Sequence, residues 1–133
     1  MIQPVEVPIK GMAPAPWGGV NQWKWRKKIA DAIQEKYGNE PLNLPVQTKF
    51  AVEVVFMIRD SKIRQQGSGD IENLAKPVVD TFFLSKNDQS PPDLKVAGVL
   101  FINDDINVFK LTLEKLPVST EKEEGADITI TWE

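Results

Sequence analysis

Phe50-Ala51-Val52-Glu53-Val54-Val55-Phe56-Met57-Ile58-Arg59 alternates Phe50, Val52, Val54, Phe56 and Ile58 onto one side, while Ala51, Val55 and Met57 make the other side mostly apolar. A strand that is apolar on both faces belongs in the middle of a sheet. On its N-terminal side, Val5, Val7 and Ile9 alternate with Glu6, Pro8 and Lys10; this is a second strand, and Pro4 and Pro8 push it to an edge. Gly11–Gly19 is rich in Pro, Gly and Ala and reads as a loop long enough to carry a role. A helix follows from Asn21 as N-cap to about Tyr37, with Gly38 as its stop. Trp25, Ile29, Ala32, Ile33 and Tyr37 form its apolar stripe.

On the C-terminal side of the central strand, Asp60–Gly69 is a polar connection. Ile71, Leu74, Ala75, Val78 and Phe82 give Asp70–Leu84 helical spacing, and Ser85–Leu94 is a loop. Val96–Ile102 reads as a short apolar strand, Asn103-Asp104-Asp105 as a hairpin turn, Ile106–Leu116 as a strand, and Ile128, Ile130 and Trp132 as the inner face of a last one. The expected order is β-α-β-α-β-β-β. The expected fold is α+β: one domain with a mixed sheet of four or five strands and two helices.

At 133 residues the chain has the length of one domain. It has no apolar stretch of the roughly 18 residues that would span a bilayer and no signal-peptide pattern, so the expectation is a cytoplasmic protein without a membrane partner. Cysteine and histidine are both absent. That excludes a disulfide framework, a thiolate nucleophile, a Ser-His-Asp triad and a zinc site built on Cys or His. Any chemistry falls to carboxylates, Lys, Arg, hydroxyls, the backbone, or a metal held by oxygen, which points to Mg²⁺, Mn²⁺ or Ca²⁺.

The residues that stand out are Asp70-Ile71-Glu72-Asn73-Leu74-Ala75-Lys76 and the pair Asp104-Asp105. Local structure accounts for part of this. Asp70 is a good N-cap, Glu72 suits a first turn, and Lys76 lies four residues after Glu72, as in an ordinary ion pair. Two features go further. Glu72, Asn73, Lys76 and Asp80 share the polar face of the helix. Pro77 falls inside the helix and forfeits the bond to the Asn73 carbonyl. Carboxylates gathered from the helix and the Asp-Asp turn would repel unless a cation joined them. A divalent metal there suits phosphodiester hydrolysis, with a nearby Lys neutralising charge on the phosphoryl oxygens.

The run Gly69–Asp80, followed by Val99-Leu100-Phe101-Ile102-Asn103-Asp104-Asp105-Ile106-Asn107-Val108, resembles the RusA family of Holliday-junction resolvases. That family carries an acidic-x-acidic-Asn-Leu-x-Lys-x-x-x-Asp run and then an apolar strand ending in Asp-Asp. Trp25-Arg26 also resembles a Trp-Arg pair of its phage members. The resemblance implies a Mg²⁺-dependent endonuclease, with Mn²⁺ able to substitute, that acts as a homodimer and nicks two strands of a four-way DNA junction. It places the metal carboxylates on Asp70, Glu72 and Asp105, with Asp104 beside them, and the catalytic lysine on Lys76. Glu72 stands where the family pattern has Asp. A member that holds branched DNA without cutting it is the alternative expectation.

The net charge is −3 and the pI about 5.1, low for a DNA-binding protein. The charge is segregated, however: Gln22–Lys36 carries net +3 and Leu113–Glu133 net −4. Lys24, Arg26, Lys27, Lys28, Arg59, Lys62 and Arg64 are the candidate phosphate contacts. Trp17 and Trp23 are candidates for stacking on bases, and Trp25 for the core.

Overall fold

A computed structural model describes all 133 residues. Its elements are β1 (Val5–Lys10), α1 (Gln22–Tyr37), β2 (Phe50–Arg59), α2 (Ile71–Phe82), β3 (Val108–Val118) and β4 (Gly125–Trp132). The four strands form one mixed sheet in the order β1-β4-β2-β3. β4 runs antiparallel to both β1 and β2, while β3 runs parallel to β2. The α+β class, the four-stranded mixed sheet and the two helices agree with the sequence reading, as do the edge position of β1 and the interior position of β2.

The alternation of each strand decides which side is covered. Val5, Val7 and Ile9 of β1, all five even-numbered residues of β2 from Phe50 to Ile58, and Ala126, Ile128 and Ile130 of β4 are buried. They join Trp25, Ile29 and Ile33 of α1 and Leu74, Val78 and Phe82 of α2 in a single core. Phe50, Phe83, Phe101 and Trp132 pack as an aromatic cluster at one end, with ring centroids 4.8–6.0 Å apart. Trp25 is fully buried, as its place on the apolar stripe of α1 requires. Asn21 precedes α1 as expected, yet its side chain makes no capping bond. Gly38 ends the helix at φ +87°.

One expected strand is absent. Val96–Ile102 is buried in part but does not join the sheet. Its amides serve the C-terminal end of α2 instead: Gly98 N–H donates to Phe83 O (3.1 Å), Val99 to Thr81 O (2.8 Å) and Phe101 to Phe82 O (2.9 Å). The carbonyls at the end of a helix lack intrahelical partners, and this apolar run supplies them. With no strand before it, Asn103-Asp104-Asp105 is not a hairpin. Leu84 and Asp104 form an isolated parallel bridge, a 3-10 turn covers Asp105–Asn107, and β3 then starts beside β2. The expected turn chemistry holds, because Asp104 Oδ1 accepts from Ile106 N–H at 2.9 Å. Asn103 and Asn107 reach further, bonding Leu44 N–H and O, and Val46 O and Thr48 O respectively, which ties the 42–48 segment to this turn.

No helix is long and apolar enough to cross a membrane.

Candidate active site

α2 is the scaffold of the site. Asp70 caps it, with Oδ1 accepting from Asn73 N–H at 2.9 Å. Pro77 sits inside it, and the Asn73 carbonyl that Pro77 cannot serve accepts the backbone N–H of Trp17 at 2.9 Å. The helix defect is thus the docking point of the Gly11–Gly19 loop. Gly69, at φ +80°, permits the approach, since a Cβ there would stand 2.6 Å from Pro16 Cβ. The loop carries the Trp17 indole to a point where Lys76 Nζ lies 6.0 Å from its ring centroid.

Lys76 and Asp80, one turn apart, form an ion pair with Nζ 3.3 Å from Asp80 Oδ2. Asp80 is only 2% exposed, and its Oδ1 has no hydrogen-bond partner. Burial raises its pKa above the usual carboxylate value, against the opposing pull of Lys76 and Arg26. Asp105 belongs to the turn that docks after α2. Its N–H donates to Leu84 O at 2.8 Å, just past the end of α2. Desolvation raises its pKa too, reinforced by a hydrogen bond and repulsion from Asp104 and by the charge of Asp80, with Ser85 acting the other way. The ion pair of Lys76 and Asp80, and the Asp104-Asp105 turn docked at Leu84, thus lie along α2 toward its C-terminal end.

Asp70 and Glu72 are not part of that group. Glu72 is exposed and precedes Asp80 by two turns, roughly 12 Å along the axis at 1.5 Å per residue. No three of the chain's acidic side chains are gathered as a ready-made cage for an ion. Against the expectation that Asp70, Glu72 and Asp105 close around one cation, the structure sets the Asp-Asp turn at the C-terminal end of α2, while Asp70 and Glu72 lie at its start. The physical reason is the capping role of residues 98–105, which ties the turn to the carbonyls of residues 81–84. Asp80 is the acid that sequence reasoning undervalued. Its signal was its place on the polar face, four residues after Lys76. The unpartnered Asp80 oxygen still fits a hard divalent ion. Mg²⁺ commonly uses one or two carboxylates, and Asp80 offers one buried oxygen without a hydrogen-bond partner.

Asp70→Ala separates the capping role from any other. It is expected to lower the unfolding free energy by about 1 kcal/mol in urea, while Asp70→Ser, which keeps a capping oxygen, leaves it nearly unchanged. Equal stability of wild type and Asp70→Ala refutes the cap.

The basic residues divide. Arg26 is not a phosphate contact: it is 1% exposed and fully engaged inside the protein. Nε donates to Thr81 Oγ1 (3.1 Å), Nη2 to Asp80 O (3.1 Å) and Val96 O (2.8 Å), and Nη1 pairs with Asp88 Oδ1 at 2.8 Å. Burying a guanidinium demands such a set of acceptors, and they staple the Ser85–Leu94 loop to both helices. Arg59 and Lys62 turn toward Glu124, a fully buried carboxylate, at 3.0 and 3.8 Å, and each keeps about a third of its side chain exposed. Arg64 is exposed and 3.8 Å from Asp60. Lys24, Lys27 and Lys28 line an open hollow with Lys10, and Lys27 pairs with Asp31. At 100° per residue they lie roughly 100–200° around α1 from Arg26, on the far side from Asp80.

No protein-family model matches the sequence, and no curated protein matches it.

Proposed function

We propose that the chain is a metal-dependent endonuclease of the RusA type that resolves four-way DNA junctions by paired phosphodiester hydrolysis, working as a homodimer in the cytoplasm of a bacterium on chromosomal or prophage DNA. The pair of Lys76 and buried Asp80 carries this reading, with Asp105 on the turn docked at the end of the same helix. These are a cation and two desolvated carboxylates from separate elements, with one oxygen unpartnered. Asp80 and Asp105 would hold Mg²⁺ or Mn²⁺, with Asp104 beside them and Asp70 and Glu72 along the same helix toward its start. Such an ion would supply a more acidic bound water and polarise the phosphate. Lys76 keeps two-fifths of its side chain exposed and would neutralise charge building on the phosphoryl oxygens. Asp80 in turn holds that ammonium in place.

Support for a second copy comes from β3. It is a sheet edge of eleven residues that leaves Phe109, Leu111 and Leu116 exposed, with Ile106 just before it. A two-fold dimer would match the symmetry of the junction.

The test is a synthetic four-way junction incubated with Mg²⁺ or Mn²⁺. Paired nicks are expected from the wild type, and loss of them by about 10³-fold in Asp105→Asn. No nicking with either metal, or full nicking in Asp105→Asn, overturns the reading. Glu72, standing where the resembling family carries Asp, favours one second reading, a branched-DNA-binding module with an impaired metal site. Junction binding without cleavage, together with cleavage restored by Glu72→Asp, is its signature.

A further inference from the structure

A cavity of about 220 Å³ opens beside Asp80, between the Trp17–Gly19 loop, the first turns of α1 and the Asn87–Gln89 stretch. Trp17, Trp23, Gln22, Arg26, Asp80 and Asp88 are among its lining residues. Trp17 is 51% exposed, and a large exposed indole gains little from being fixed. Yet its backbone is held by its own amide on Asn73 O and by the next amide, where Gly18 N–H donates to Gln22 Oε1 at 3.0 Å, and Lys76 lies over one ring face. Trp23 is backed in the same way by Arg26, whose Cζ lies 5.3 Å from the ring centroid.

Of the charges lining the cavity, Arg26 and Asp88 are paired with each other, and Asp80 adds a carboxylate rather than a cation. Asp88 also accepts from Ser90 Oγ. Burial works to raise the Asp88 pKa, but the bonds from Arg26 and Ser90 hold it below the usual value. An anion therefore finds no free cation here. What remains is aromatic surface and two exposed primary amides, Asn87 and Gln89, each with a donor and an acceptor. That combination takes a flat, neutral ring with hydrogen-bonding edges.

We infer that this cavity binds one unstacked nucleobase of the DNA substrate, next to the strand held at Asp80, with Trp17 and Trp23 as its stacking surface and Asn87 and Gln89 reading its edge. The inference rests on the proposed nuclease function and assigns the Ser85–Leu94 loop a role: Arg26 clamps Asp88 so that the flanking amides border the cavity.

The experiment measures junction affinity in EDTA for wild type, Trp17→Ala and Gln89→Ala. Intact junctions are compared with junctions carrying a single abasic nucleotide at each position near the branch in turn. For wild type, one abasic position is expected to weaken binding about tenfold, the scale of one base–aromatic stack. Trp17→Ala is expected to weaken binding to the intact junction by a similar factor and to lose nothing more at that abasic position. Gln89→Ala alters an exposed loop side chain and remains informative if Trp17→Ala does not fold; a smaller loss that also vanishes at the abasic position is expected. Junction binding with fully additive losses, or with no loss in either variant, overturns the inference and leaves the nuclease reading standing. Absence of any binding to branched DNA overturns both.

Discussion

Asp80→Asn is expected to lose junction cleavage by about 10³-fold or more while gaining thermal stability as metal-free protein at neutral pH. The two effects share one cause. Asp80 is buried, its Oδ1 has no partner, and burial holds its pKa above the ordinary value of 3.8 despite Lys76 and Arg26 nearby. Asp88 and Asp105 are the acids that also bear on it or sense it. A carboxyl whose folded pKa lies above its unfolded one binds more protons folded than unfolded between those two values. The unfolding free energy therefore falls as pH rises through that window and stays at its lower level above it. An amide carries no such penalty and still offers Lys76 an oxygen. The advantage of Asp80→Asn should thus appear above pH 3.8, grow to a plateau once the wild-type carboxyl is ionised, and vanish at lower pH. Thermal melts in EDTA across pH check this. Millimolar Mg²⁺ is expected to raise the melting temperature of wild type and leave the variant unmoved. A variant less stable than wild type at neutral pH in EDTA overturns this account of Asp80.

Arg26→Met should be the most damaging single change to the fold among those considered, at about 3–5 kcal/mol. Met roughly preserves the volume but leaves behind Thr81 Oγ1, two backbone carbonyls and the Asp88 carboxylate, all chosen to surround a cation. Each acceptor left dry costs more than a hydrogen bond is worth in an exposed place. Asp88 adds a pH signature. Its pKa is held low by Arg26 and Ser90, so its contribution is present above the ordinary value of 3.8 and is lost as pH falls through the lowered one. Urea titrations of wild type and Arg26→Met should differ strongly at neutral pH and less in acid. The double variant Arg26→Met/Asp88→Leu is expected to recover part of the loss, since it removes the stranded charge but not the stranded carbonyls. A loss below about 1 kcal/mol for the single variant contradicts the clamp.

The halves of Arg26's story show how far a sequence carries. Its neighbours Lys24, Lys27 and Lys28 suggest a basic ridge on one helix, and by composition Arg26 belongs with them. The helical period puts it on the opposite side, and only the arrival of Asp88 and Val96 from sixty or more residues away shows what it faces. Pro77 is the contrary case. A proline inside a helix leaves a carbonyl free by covalent geometry alone, so a missing partner at Asn73 was legible in advance. That the partner is Trp17, and that the bond sets an indole beside Lys76, was not.

What is periodic or local could be read from the chain alone: a strand apolar on both faces in the middle of the sheet, two helices with one buried stripe each, a cap at Asp70, and a chemistry confined to oxygen and cationic nitrogen. These follow from alternation, helical spacing and the identity of the side chains, which need no distant partner. The tertiary structure alone decided where the Asp-Asp turn docks, because Val96–Ile102 had a choice between joining a sheet and capping a helix, and both satisfy the same backbone groups. By capping α2 it set the Asp-Asp turn at the C-terminal end of that helix rather than at its start, where Asp70 and Glu72 lie. A choice between distant hydrogen-bond partners leaves no periodic trace in a chain, and here that choice set where the Asp-Asp turn lies.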